Sequence, residues 1–109
     1  PLSSGLLTGK YRRDQAGPPG GRLSESRYAD VLANADWDAV EGLRAFAAAR
    51  GVTMLDVAIG GLAAQPAVTS VIAGAMSPEQ VRANARAGLW EPAAQDLVEI
   101  DMITSAGRR

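Results

Sequence analysis

The amino-acid sequence predicts an incomplete α/β fold, mostly helical, with one full buried strand. Three observations carry that prediction. Residues 68–73 form a β-branched run whose polar members are only Thr69 and Ser70, the pattern of a parallel strand covered on both faces. Four helical segments with recognisable caps occupy most of the remaining chain. The only other strand candidate is the stub Pro1-Leu2. A lone parallel strand leaves its ladder groups unpaired, so its partners are expected upstream of Pro1. The chain opens on proline rather than methionine, and is expected to begin inside something longer.

The elements follow in order. Residues 1–10 are short and glycine-punctuated, and read as the end of a strand and a loop. Gly17-Pro18-Pro19-Gly20-Gly21-Arg22 excludes regular structure, so Tyr11 to about Asp30 is one long loop. Ordered loops of that length are usually lids or binding loops; simple disorder is the plain alternative.

A first helix begins near Asp36, with Val40, Leu43 and Ala47 at helical spacing and Trp37, Phe46 and Ala48 widening the apolar face. Gly51 ends it after Arg50, a cation suited to a helix C-terminus. Thr53 caps a second helix, with Asp56 at the capping-box position. Its apolar side reads Val57, Ala58, Ile59, Leu62 and Ala63, with Gly60 and Gly61 in the middle, and Gln65-Pro66 stops it. A third helix runs from Pro78 to about Ala87. A fourth begins at Pro92 and carries Leu97, Ile100, Met102 and Ile103 to about Ser105. The tail from Gly107 is expected to be loose.

Composition narrows the function. An apolar fraction of 47% excludes disorder, and a net charge of −1 gives no reason to expect a nucleic-acid or membrane-surface partner. The chain has no cysteine, hence no disulfide and no thiolate chemistry. It has no histidine and a single lysine, Lys10, which removes most hydrolytic triads, most metal sites and the common general bases. No apolar run is long enough to span a bilayer and no secretory signal is visible, which says little in a chain that opens on Pro1; a cytoplasmic location is expected.

Residues 68–84, Val-Thr-Ser-Val-Ile-Ala-Gly-Ala-Met-Ser-Pro-Glu-Gln-Val-Arg-Ala-Asn, are the most informative. The run stops at Gly74, which has no Cβ to keep a phosphate away from the backbone. Ser77 can cap, Pro78 suits the first helical position and Gln80 completes a Ser-x-x-Gln capping box. Helix N-termini of this kind bind anions. Gln80 and Asn84 are four apart and share one helix face, and paired side-chain amides match the edge of an adenine. An ordinary capped strand–turn–helix explains the same pattern.

The segments together resemble the aldo-keto reductases. Residues 1–11, Pro-Leu-Ser-Ser-Gly-Leu-Leu-Thr-Gly-Lys-Tyr, resemble the stretch after the seventh barrel strand of that family. Pro18-Pro19-Gly20-Gly21-Arg22-Leu23 resembles the loop that follows, and residues 68–84 the eighth strand and its cofactor helix. The blocks come in order over almost the whole chain, closest to the bacterial, potassium-channel-β-like branch. The resemblance implies a C-terminal fragment of a (β/α)8 TIM barrel, filling residues 1–109: the end of strand 7, the long loop, helices, strand 8, the cofactor helix and a closing helix.

The resemblance implies NADP(H) as cofactor and a small-molecule carbonyl substrate met through the missing N-terminal part. It places Pro1, Leu2, Ser3 and Gly5 along the pyrophosphate and nicotinamide, and Lys10 and Arg22 near the phosphates. Gly74 and Met76 would flank the adenosine 2′-phosphate, and Gln80 and Asn84 would hold the adenine. The family's catalytic Asp, Tyr, Lys and His lie upstream of Pro1, so no catalytic residue is expected in this chain. Three positions depart from the family pattern. Met76 stands where Ser, Thr, Arg or Lys is usual, Ala83 replaces a frequent acid, and Gly60-Gly61 replaces a common Ala-Trp. Loss of that indole should leave a hole costing a few kcal/mol unless neighbours fill it. A non-catalytic helical binding or assembly module, or a truncated relic, is the alternative. An incomplete gene product with an exposed hydrophobic edge is a third.

Overall fold

The computed structural model describes residues 2, 5–13, 17–18, 20–21, 23 and 32–106. After a short 3-10 turn, Leu6–Thr8, the elements are helical. Helix α1 spans Trp37–Arg50. Helix α2 joins a π-helical stretch, Asp56–Gly60, to an α-helical turn, Gly61–Ala63. Helix α3 spans Pro78–Ala87 and α4 spans Ala94–Ser105.

Local chemistry sets these boundaries. Asp36 caps α1 by accepting from the amide of Ala39 at 3.1 Å. Gly51 terminates it in the left-handed region, φ 68°, while Val52 N donates to Ala47 O at 3.0 Å, closing a Schellman motif. Thr53 and Asp56 form the anticipated reciprocal box, with bonds of 2.9 and 3.0 Å. Ala93 has no acceptor to cap α4, but its amide donates to Asp96 at 2.9 Å.

The core lies between α1 and α2. Val40, Leu43, Phe46 and Ala47 pack with Met54 and Val57, and Trp37, Val52, Trp90, Ile100 and Ile103 close over them. Helix α4 approaches α1 closely at Gly42, where a Cβ would stand 2.7 Å from Ile103 Cγ2. Above Gly60 and Gly61 lies Trp90, its Cβ 3.0 Å and its Cζ3 3.7 Å from where the two missing Cβ atoms would stand. The ring meets Phe46 edge-on at 6.3 Å. The anticipated hole is therefore filled by an indole from elsewhere in the chain.

The expectation of an α/β chain with one full buried strand is overturned: the described residues are helical. Among the described residues there is no β-strand. Residues 68–75 run without ladder pairing, and Ile72 is 87% exposed. The physical reason is that a parallel strand is a property of a pair. β-Branched composition favours it, but only flanking strands satisfy its amides and cover its faces. The described residues offer no such neighbour.

Arg50 ties α1 to α4. Its Nε lies 2.9 Å from Asp96 and its Nη2 2.8 Å from Glu99, with the guanidinium 4.5 Å above the Phe46 ring. The Ala93 amide, and then Arg50, hold the Asp96 carboxyl below its ordinary range. Arg50 is raised in turn, chiefly by Asp96. A carboxyl lowered on folding binds more protons in the unfolded chain, so its stabilisation is full above about pH 4 and is lost as pH falls through the lowered value. Asp96→Asn is expected to flatten the acid limb of the stability profile, read from thermal melts across that range. An unchanged acid limb would exclude this clamp as its source.

Candidate functional site

The cofactor positions anticipated from the sequence fall into two described groups. Pro1, Ser3 and Arg22 lie outside the described residues.

The first group is the turn at residues 5–11. Gly5 and Gly9 adopt φ 97° and 91°, a region open to glycine at little cost, and they fold the chain around Leu6–Thr8. Leu2 O accepts from Gly5 N and Leu7 N at 3.0 and 3.1 Å, and Thr8 Oγ1 donates to Gly5 O at 2.6 Å. This compact turn brings Lys10 back over Gly5, its Cε 3.0 Å from the position a Gly5 Cβ would take. The ammonium stands 5.5 Å above the Tyr11 ring. Tyr11 is only 1% exposed, and its hydroxyl accepts from the amide of Leu23 at 2.8 Å. Leu2, Gly5 and Lys10 are thus brought together.

The second group is the turn into α3. Ser77 Oγ accepts from Gln80 N at 3.2 Å, as a cap should. The capping box leads one to expect the Gln80 side chain on Ser77 N; it reaches one residue further and accepts from Met76 N at 2.6 Å. Asn84 Nδ2 donates to Gly74 O at 3.3 Å. Two side chains one helical turn apart therefore pin residues 74–76 to α3. Gln80 Nε2 and Asn84 Oδ1 remain on the same face, one a donor and the other an acceptor. Nothing stands within 4 Å of a Cβ built on Gly74, and Met76 is 94% exposed. Gly74, Met76, Gln80 and Asn84 thus share one open surface. A cavity of about 580 Å³, lined in part by Arg13, Asp36 and Trp37, contains none of these residues.

The arrangement offers a donor, an acceptor and an open stretch of backbone side by side. Open backbone at Gly74 allows close approach, and the two carboxamides present a donor beside an acceptor. Met76 adds no donor to this surface, because its thioether cannot donate and its amide is already engaged. Among the described residues no cluster of three or more His, Cys, Asp or Glu could hold a metal, and no helix is long and apolar enough to cross a membrane. One contact of this turn, made by Arg44, was invisible in the sequence. Nothing in its helical spacing signals that it reaches two loop carbonyls more than thirty residues away.

The family model described as "Aldo/keto reductase family" matches residues 1–104. The chain belongs to the aldo/keto reductase family. Two curated relatives, from Arabidopsis thaliana and Oryza sativa subsp. japonica, are each named "Probable voltage-gated potassium channel subunit beta". They are 37% and 35% identical over 91 residues, 80% of this chain. The match spans 27% of the length of either relative.

Proposed function

We propose that this chain supplies the C-terminal, NADP(H)-binding portion of an oxidoreductase that reduces aldehydes or ketones, and is catalytically silent by itself. The observation that carries the reading is the pinned turn at residues 74–76, with Gly74 open and the Gln80 and Asn84 carboxamides side by side. When bound, the reduced nicotinamide supplies hydride. The chain's own residues bind and orient. Gln80 and Asn84 would hold the adenine, the one carboxamide offering a donor and the other an acceptor. Lys10 would neutralise phosphate charge at the first turn. Proton transfer falls to groups outside this chain. It has no histidine, and the buried Tyr11 hydroxyl is engaged with the Leu23 amide. A cytoplasmic setting belongs to the same reading.

The test is fluorescence titration of the full chain with NADPH. Saturable binding that Asn84→Leu weakens supports the reading, and no binding overturns it. Aldehyde-dependent NADPH oxidation by the 109-residue chain would overturn catalytic silence. A further result is expected at Met76. Met76→Arg introduces a charge-assisted donor at an exposed position, worth about 1.5 kcal/mol, and should raise preference for NADPH over NADH by about tenfold. Unchanged preference, measured as the ratio of the two Kd values, would remove Met76 from the neighbourhood of the 2′-phosphate.

A further inference from the structure

We infer that Arg44 is a positioning residue that presents Lys10 to a cofactor phosphate; this rests on the NADP(H)-binding reading above. Arg44 stands half-buried on α1. Its Nη1 donates to Gly9 O at 3.3 Å and its Nη2 to Tyr11 O at 3.0 Å. These are the two carbonyls that flank Lys10. One rigid guanidinium fork spans them, and the backbone between is drawn onto the helix. The neighbouring Arg13 makes ion pairs with Asp38 and Glu41 of the same helix, the latter at 3.1 Å. The turn is therefore stitched to α1 on both sides of Arg12.

The consequence falls on Lys10. With the carbonyls before and after it turned toward α1, Lys10 is left exposed, its side chain lying over Gly5 and the Tyr11 ring. The ring itself is held by its hydroxyl, which accepts from the Leu23 amide. Arg44 spends its donors on carbonyls, and the ammonium is the cation presented outward. A lysine at position 44 has a single point of donation and cannot bridge both carbonyls in one planar geometry.

Lys10 is the only lysine, so its acylation by an amine reagent can be followed at one site by mass spectrometry. The experiment measures NADPH affinity and NADPH protection of Lys10 in the full chain, in Arg44→Met, in Arg44→Lys and in Lys10→Met. Wild type is expected to bind and to protect Lys10. Arg44→Met should weaken binding about tenfold and add almost nothing in a Lys10→Met background, the signature of action through Lys10. Arg44→Lys should fold, lose most of the same affinity and speed amide exchange at residues 10–12. It keeps the inference testable if Arg44→Met does not fold. Wild-type binding with unaltered affinity in Arg44→Lys, or fully additive losses in the double variant, overturns the inference and leaves the functional reading standing. Absence of NADPH binding by wild type overturns both.

Discussion

Trp90→Ala is expected to lower stability by about 3–4 kcal/mol, a large share of the roughly 5–15 kcal/mol that holds a domain together. The indole roofs Gly60 and Gly61 and meets Phe46 edge-on, at 6.3 Å between centroids and 72° between planes. Truncation removes the largest side chain over that surface, and two adjacent glycines have no atoms with which to close the gap. The aromatic pair adds about 1 kcal/mol beyond area burial. Urea denaturation reads the effect, and Trp90→Phe should recover part of it. A loss under about 1 kcal/mol would mean that the indole does not roof these glycines.

The second large effect sets two neighbouring glycines against each other. Gly60→Ala is expected to destabilise by about 2–3 kcal/mol. Its Cβ would stand 2.7 Å from Ala87 O, 3.0 Å from Trp90 Cβ and 3.1 Å from Trp90 O. Two of those are backbone atoms, which yield only if α3 and the turn after it move. Gly61→Ala meets Ile100 Cδ1 at 3.5 Å and Trp90 Cζ3 at 3.7 Å, ordinary contact distances. It should be neutral or stabilising by up to about 1 kcal/mol through helix propensity. Thermal melts of the two variants, side by side, decide the matter. Equal losses would mean that the close approach of α3 to α2 is not centred on Gly60.

The same pair marks the limit of what could be read in advance. Both glycines are visible in the sequence as a weakness in a helix, but what faces them is not, because Trp90 lies about thirty residues on. Helix ends were legible wherever the determining chemistry is local. Ser77 with Pro78 fixes the start of α3, Asp36 the start of α1, and Gly51 its end. The π-helical stretch Asp56–Gly60 left no trace in the apolar pattern. Residues 68–73 failed as a strand because composition encodes a tendency, whereas pairing requires a second segment. At the site, four-residue spacing put Gln80 and Asn84 on one face, but not the loop atoms they grasp. Gln80 reaches past the expected Ser77 amide to that of Met76. Gly5 and Lys10 were legible as residues of a turn, whereas Arg44 was not, since its partners are carbonyls that any sequence would supply.

The bonds from Gln80 and Asn84 to the 74–76 turn have a thermodynamic consequence. A loop already fastened to its helix has surrendered its backbone freedom during folding, at about 1–2 kcal/mol per residue. A ligand arriving there need not impose that order again. Calorimetry of nucleotide binding should accordingly show a small entropic penalty. Cutting both tethers, by Gln80→Met and Asn84→Leu together, should shift the balance toward a more unfavourable entropy.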